Sequence, residues 1–173
     1  MTAVWGEITL GLSTTSGTGY VGGSSLTATI TGSNYGSLSI VANTNSSVAT
    51  ASIKGTTLTI TPIAAGTTAI TVKEANGNKT ATYNVTVKAT SISLNATSGI
   101  CYVGGSNLSA TASGTNMGSI SATSNNVGIA KVSNSGNTIT IMPVAAGTTA
   151  ITVKEANGNK TATYNVTVKA TSI

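Results

Sequence analysis

No histidine, arginine, aspartate or phenylalanine occurs in this chain of 173 residues, and charged side chains make up only 6% of it. Without His or Asp there is no Ser-His-Asp or Cys-His arrangement and no His-based metal site. Calcium prefers several carboxylates, and three Glu in the whole chain are too few. These absences predict a protein that is not an enzyme and carries no metal and no cofactor. Cys101 is the single cysteine, so no intramolecular disulfide forms, and it reads as an inert small residue. No apolar run is long enough to span a bilayer, so membrane insertion is not expected. The first letters, MTAVWGEITL, have no basic segment and no long apolar run, and do not read as a signal peptide. Taken with Met1 as a natural start, they predict a protein that is not exported by the general route.

The eight lysines are spread out. Lys73, Lys79 and Lys88 recur as Lys154, Lys160 and Lys169, one set per repeat. With no Arg and no aromatic platform, the net charge of +5 predicts solvated strand faces and no nucleic-acid partner.

What the chain does have is repetition. The segment Ala64–Ile92, AAGTTAITVKEANGNKTATYNVTVKATSI, recurs letter for letter at Ala145–Ile173. Each copy is an alternating run interrupted by Asn-Gly, the signature of a two-residue hairpin in which both turn residues take positive φ. That turn pairs Val72 with Ala81 and Ile70 with Tyr83. It puts Ile70, Val72, Ala81, Tyr83, Val85 and Val87 on a buried face and Thr71, Lys73, Thr82, Asn84 and Thr86 on a wet one. It also places Glu74 and Lys79 as an opposite-charge pair at an exposed tip, with Asn76, Gly77, Asn157 and Gly158 exposed. Glu74 and Glu155 then sit on separate tips and form no acid/base pair.

The duplication predicts two domains of residues 10–89 and 90–173, preceded by an extension of residues 1–9. Each repeat shows seven short apolar alternations separated by turn signals, which predicts an all-β fold of two antiparallel sandwiches. Gly22-Gly23 reads as the turn between the first two strands. Landmarks before Ser39 recur 82 residues on and those after Val48 recur 81 on, which predicts a tolerant loop where one residue is lost.

Several of these letters resemble the bacterial immunoglobulin-like domain of group 2, the module of intimin- and invasin-type adhesins. They are Leu10-Gly11-Leu12, Val21-Gly22-Gly23, Asn45–Thr50 and above all Ala64–Val72, with their copies Ile92-Ser93-Leu94, Val103-Gly104-Gly105, Gly128–Lys131 and Ala145–Val153. The Trp often found in the family's third strand is missing: that region holds Ile40-Val41 and Ser121-Ala122. The resemblance implies two tandem immunoglobulin-like Greek-key sandwiches that are displayed at a surface and serve in binding or spacing in place of catalysis. Three settings follow. The first is a decoration protein on the surface of a phage virion, on capsid or tail. The alternative is a fragment of an adhesin or surface-layer protein of the bacterial cell surface; the third, which rests on Ile173 lying where a new strand would start, is a subunit of a strand-exchanged filament. The partners implied are other structural proteins of the assembly and surface glycans. Outside the repeats, Val4, Trp5 and Ile8 form the candidate assembly anchor, since a Trp buries a large area at low entropy cost.

Overall fold

The computed structural model describes residues 6–171, and the chain divides into two compact units between Ala89 and Thr90. Val4 and Trp5 of the candidate anchor lie outside the described residues. Among the described residues each unit contains eight strands. In the first domain these are β1 (Thr9–Leu12), β2 (Ser16–Tyr20), β3 (Leu26–Ser33), β4 (Leu38–Asn43), β5 (Ala49–Lys54), β6 (Thr57–Pro62), β7 (Gly66–Glu74) and β8 (Thr80–Lys88). In the second they are β9 (Ser93–Leu94), β10 (Ser98–Tyr102), β11 (Leu108–Ser113), β12 (Ile120–Ser124), β13 (Ala130–Ser135), β14 (Thr138–Pro143), β15 (Gly147–Glu155) and β16 (Thr161–Lys169). Two four-stranded sheets face each other in each domain, β1-β3-β6-β5 against β2-β8-β7-β4, and β9-β11-β14-β13 against β10-β16-β15-β12. The fold is all-β, two immunoglobulin-like sandwiches in tandem.

The strand missing from the sequence-based expectation is β2, with its counterpart β10. Its letters, Ser-Gly-Thr-Gly-Tyr, show no apolar alternation, because its inward positions must be nearly empty. A Cβ on Gly17 would collide with the Tyr83 hydroxyl, and one on Gly19 would come within 2.6 Å of Pro62 Cγ. Gly99 leaves the same room for Tyr164. These strands carry the chain from one sheet to the other. They pair in parallel with β8 and β16, whereas every other pairing is antiparallel. Cys101 takes the place of Gly19 and is a buried member of the second core.

The cores follow from the alternation. Ile30, Leu58 and Ile60 from one sheet meet Ile70, Val72, Tyr83, Val85 and Val87 from the other. The second core repeats the pattern with Ile139, Ile141, Ile151, Val153, Tyr164, Val166 and Val168. Each such fully buried aliphatic side chain contributes about 1.5–3 kcal/mol.

The single-residue offset between the repeats is not a loop. Ile40 pairs with Val72 and Ala42 with Thr71, which leaves Val41 as a β-bulge, 52% exposed. In the second domain β12 runs without interruption from Ile120 opposite Glu155 to Ser124 opposite Ile151. The extra residue is absorbed inside a strand, where a bulge needs only one unpaired position.

Beyond the bulge the two domains differ in how they satisfy a threonine of β7. The Thr68 hydroxyl donates to Asn43 Oδ1 at 2.7 Å and accepts from the Asn45 N–H at 2.9 Å. Ser124 stands in the place of Asn43, and the buried Oγ1 of Thr149 has no hydrogen-bond partner among the described residues. Removing one member of a satisfied buried pair is costly, whereas removing an unpaired hydroxyl is not. Thr68→Val is therefore expected to destabilise the first domain by about 1–2 kcal/mol. Thr149→Val should leave the second as stable as before or more so. Domain-resolved urea unfolding, followed by NMR, checks both.

Candidate site at the glutamate turn

β7 and β8 form the predicted hairpin with the predicted register, Val72 opposite Ala81 and Ile70 opposite Tyr83. The turn itself differs. Neither Asn76 nor Gly77 has positive φ; Asn78 does, at 57°, and so does Asn159, at 58°. The Glu74 N–H donates to the Lys79 carbonyl at 3.1 Å, but the Lys79 N–H donates to Glu74 Oε1, at 2.7 Å. The connection is thus a four-residue loop, 75–78, wrapped around a side chain.

That side chain is fully buried. Glu74 Oε1 also accepts from the Gly77 N–H at 2.8 Å, and Oε2 accepts from the Asn76 N–H at 2.7 Å and from the Gly36 N–H at 3.4 Å. The expected exposed pairing of Glu74 with Lys79 is therefore overturned: backbone dipoles, not an ammonium group, neutralise the carboxylate. The same arrangement recurs in the second domain. Glu155 Oε1 accepts from the N–H groups of Gly158 and Lys160, each at 2.9 Å, and Oε2 from Asn157 at 2.9 Å and Gly118 at 3.3 Å.

The tips also differ from expectation. Asn76 and Gly77 are exposed, but Asn157 is half-buried and Gly158 is buried. Each loop wraps its carboxylate, and the first tip remains exposed while the second is partly covered. The amides strengthen this closure: Asn76 Nδ2 donates to the Asn34 carbonyl at 3.1 Å, and Asn157 Nδ2 to that of Asn116 at 2.7 Å. Gly36 is required here, because a Cβ would collide with Asn76 Oδ1. Each glutamate thus ties the hairpin tip to the loop entering β4 or β12.

The two copies diverge in what covers them. Ile8, the described member of the candidate anchor, is half-buried, and a Cβ on Gly77 would come within 2.9 Å of its Cδ1. Thr90 occupies the corresponding position in the second domain, and its hydroxyl donates to Glu155 Oε1 at 3.1 Å. Sequence reasoning missed this site, although its signal was present. The period of two that turns Ile70 and Val72 inward also turns Glu74 inward when carried one step further.

Chemically the site is a closed anchor. Burial alone would raise the Glu74 pKa, but the N–H groups of Lys79, Asn76, Gly77 and Gly36 outweigh it and hold the carboxyl below its ordinary value. Glu155 is likewise lowered: burial opposes, and the N–H groups of Lys160, Gly118 and Gly158 with the Thr90 hydroxyl prevail. A carboxylate saturated in this way is held ionised and offers no proton for general-acid chemistry. Burial pushes the Cys101 thiol up, which suppresses the nucleophilic thiolate. Among the described residues no three His, Cys, Asp or Glu side chains gather as metal ligands.

Two outcomes follow. A carboxyl whose folded pKa lies below its unfolded value adds stability that is complete above the unfolded value. That stability is lost as pH falls through the folded one. Both domains should therefore keep a level melting temperature down to about pH 4.5 and lose stability progressively below it. Glu74→Gln and Glu155→Gln should flatten that acid limb for their own domain, as calorimetry across pH would show. Separately, Asn78→Val should cost the first domain about 1–2 kcal/mol, since a β-branched residue resists positive φ, whereas Asn78→Gly should be nearly neutral. Equilibrium unfolding of the two variants checks this.

No family model matches the sequence, and no curated protein matches it. Among solved structures, the chain is similar to the S-layer protein SbsC at 24% identity with a TM-score of 0.43. That match covers 85% of this chain and 24% of the other. A fragment of SbsC comprising its domains 4 and 5 matches at 28% identity with a TM-score of 0.38, over 76% of this chain and 75% of the fragment. The I9–I11 tandem of titin matches at 11% identity with a TM-score of 0.48, over 94% of this chain and 66% of that one.

Proposed function

We propose that this chain is a non-enzymatic structural segment of a protein displayed at the bacterial cell surface, where its sandwiches act as spacers that bear tension. The observation that carries this reading lies within each domain. The chain enters at the pole of the glutamate turn, where Ile8 or Thr90 lies, and leaves from the opposite pole after β8 or β16. Its early strand β2 runs parallel to its last strand β8, with Ser16 opposite Asn84 and Tyr20 opposite Lys88. In the second domain Ser98 opposes Asn165 and Tyr102 opposes Lys169. A pull on the two ends of a domain loads this ladder in shear, so its hydrogen bonds must break together and not one after another.

The resemblance of Ala64–Val72 and Ala145–Val153 to the group 2 immunoglobulin-like module supports a cell-surface setting. The partners in it would be other structural proteins of the surface. The virion setting shares the same mechanics but has no structural observation of its own behind it.

Two measurements test this. Antibody raised against residues 6–171 should label intact cells of the source organism. Label confined to phage particles would replace the setting, and label only after lysis would overturn surface display. In single-molecule pulling, end-to-end loading of a domain should require more force than loading the β7–β8 hairpin from its open end. Equal forces would remove the tension-bearing role.

A further inference from the structure

The pole of the first domain carries a feature built on residues that the second does not share. Beside the Glu74 turn is an open cavity of about 640 Å³, lined by Gly6, Ile8, Asn34, Tyr35 and Asn76. Its size falls in the range of small-ligand sites. Among the described residues the lining carries no charge, which favours a neutral ligand. Tyr35 is half-buried and is not among the residues of the first core, so the sandwich does not depend on its ring.

The polar groups here are sorted by use. Asn34 Nδ2 donates to the Glu7 carbonyl at 3.2 Å, and Asn76 Nδ2 to the Asn34 carbonyl at 3.1 Å. One N–H of each amide is thereby engaged, and these bonds fix which atom of each amide is the oxygen. Asn34 Oδ1 and the Tyr35 hydroxyl make no hydrogen bond among the described residues. Asn34 has a positive φ of 55°, and its amide is restrained by the bond to the Glu7 carbonyl. The cavity therefore offers an aromatic ring, an aliphatic side chain, a fixed amide acceptor and a phenolic hydroxyl.

We propose that this cavity binds a neutral saccharide. A pyranose ring has an apolar C–H face that stacks on an aromatic ring, and hydroxyls at its rim that donate to a fixed acceptor and pair with a phenol. A charged peptide or a phosphate would find no opposite charge in the lining. The second domain departs from the pattern at two decisive positions. Met117 replaces Tyr35 and packs against its own core, and Thr90 replaces Ile8 with its hydroxyl committed to Glu155. The site is therefore specific to the first domain, although the hairpin tips are identical in sequence.

The test is NMR titration of the whole chain with cellobiose, maltose and N,N′-diacetylchitobiose in turn. At least one should cause saturable shifts in the amides of residues 34–36 and 76–78, with none at residues 116–118 and 157–159. Tyr35→Ala should abolish the response at an unchanged melting temperature, and Tyr35→Phe should weaken it. No response to any of the three sugars would overturn the proposal, as would equal responses in both domains or a response that survives Tyr35→Ala. Nuclear Overhauser contacts from the Trp5 indole to Tyr35 and Ile8, with no response to sugar, would assign the cavity to the chain's own first residues and overturn it as well.

Discussion

An ionised carboxylate cannot be taken out of water unless something replaces the water, and each sandwich is arranged around that requirement at one end. Glu74 and Glu155 are each ringed by backbone N–H groups drawn from two separate loops. The hairpin tip, the loop before the fourth strand and the residue that starts the domain all meet there. The consequence reaches the opposite sheet, because Asn34 and Asn116 belong to the connections that leave β3 and β11. A polar residue set into the end of an apolar stripe thus decides how two sheets close on each other.

Much of the fold was legible in the letters because period-two alternation is a direct record of burial. The register of β7 against β8 followed from the position of Asn-Gly, even though the turn type did not. A two-residue turn and a four-residue loop centred on the same pair give the same facing residues, so the pattern could not separate them. β2 and β10 were illegible for the opposite reason. In β2 both inner positions are kept empty, for Tyr83 and Pro62, and in β10 Gly99 is kept empty for Tyr164 while Cys101 fills the other; a glycine carries no periodic signal.

The candidate site was less legible than the fold. Glu74 was assigned to the solvent because it is charged and stands beside a turn, which is the usual place for such a residue. Its burial depends on N–H groups from Gly36 and from its own loop, and no pattern of side-chain letters records where free backbone donors will gather. Tyr35 was overlooked because it sits in an irregular connection. Only its distance from the apolar core distinguishes it from a packing residue.

The identity of Ala64–Ile92 with Ala145–Ile173 bears on how the chain finds its fold. Two hairpins with the same letters are chemically interchangeable partners for the remaining strands of either domain. β4, with its bulge at Val41, and the regular β12 each face a strand that cannot tell them apart. Discrimination falls to chain connectivity, since strands close in sequence meet sooner than strands a whole repeat away. A newly made chain whose first domain closes before the second hairpin exists escapes the exchange, whereas a chain refolding all at once meets both hairpins together. Order of synthesis thus supplies a distinction between the two halves that the letters of their hairpins do not.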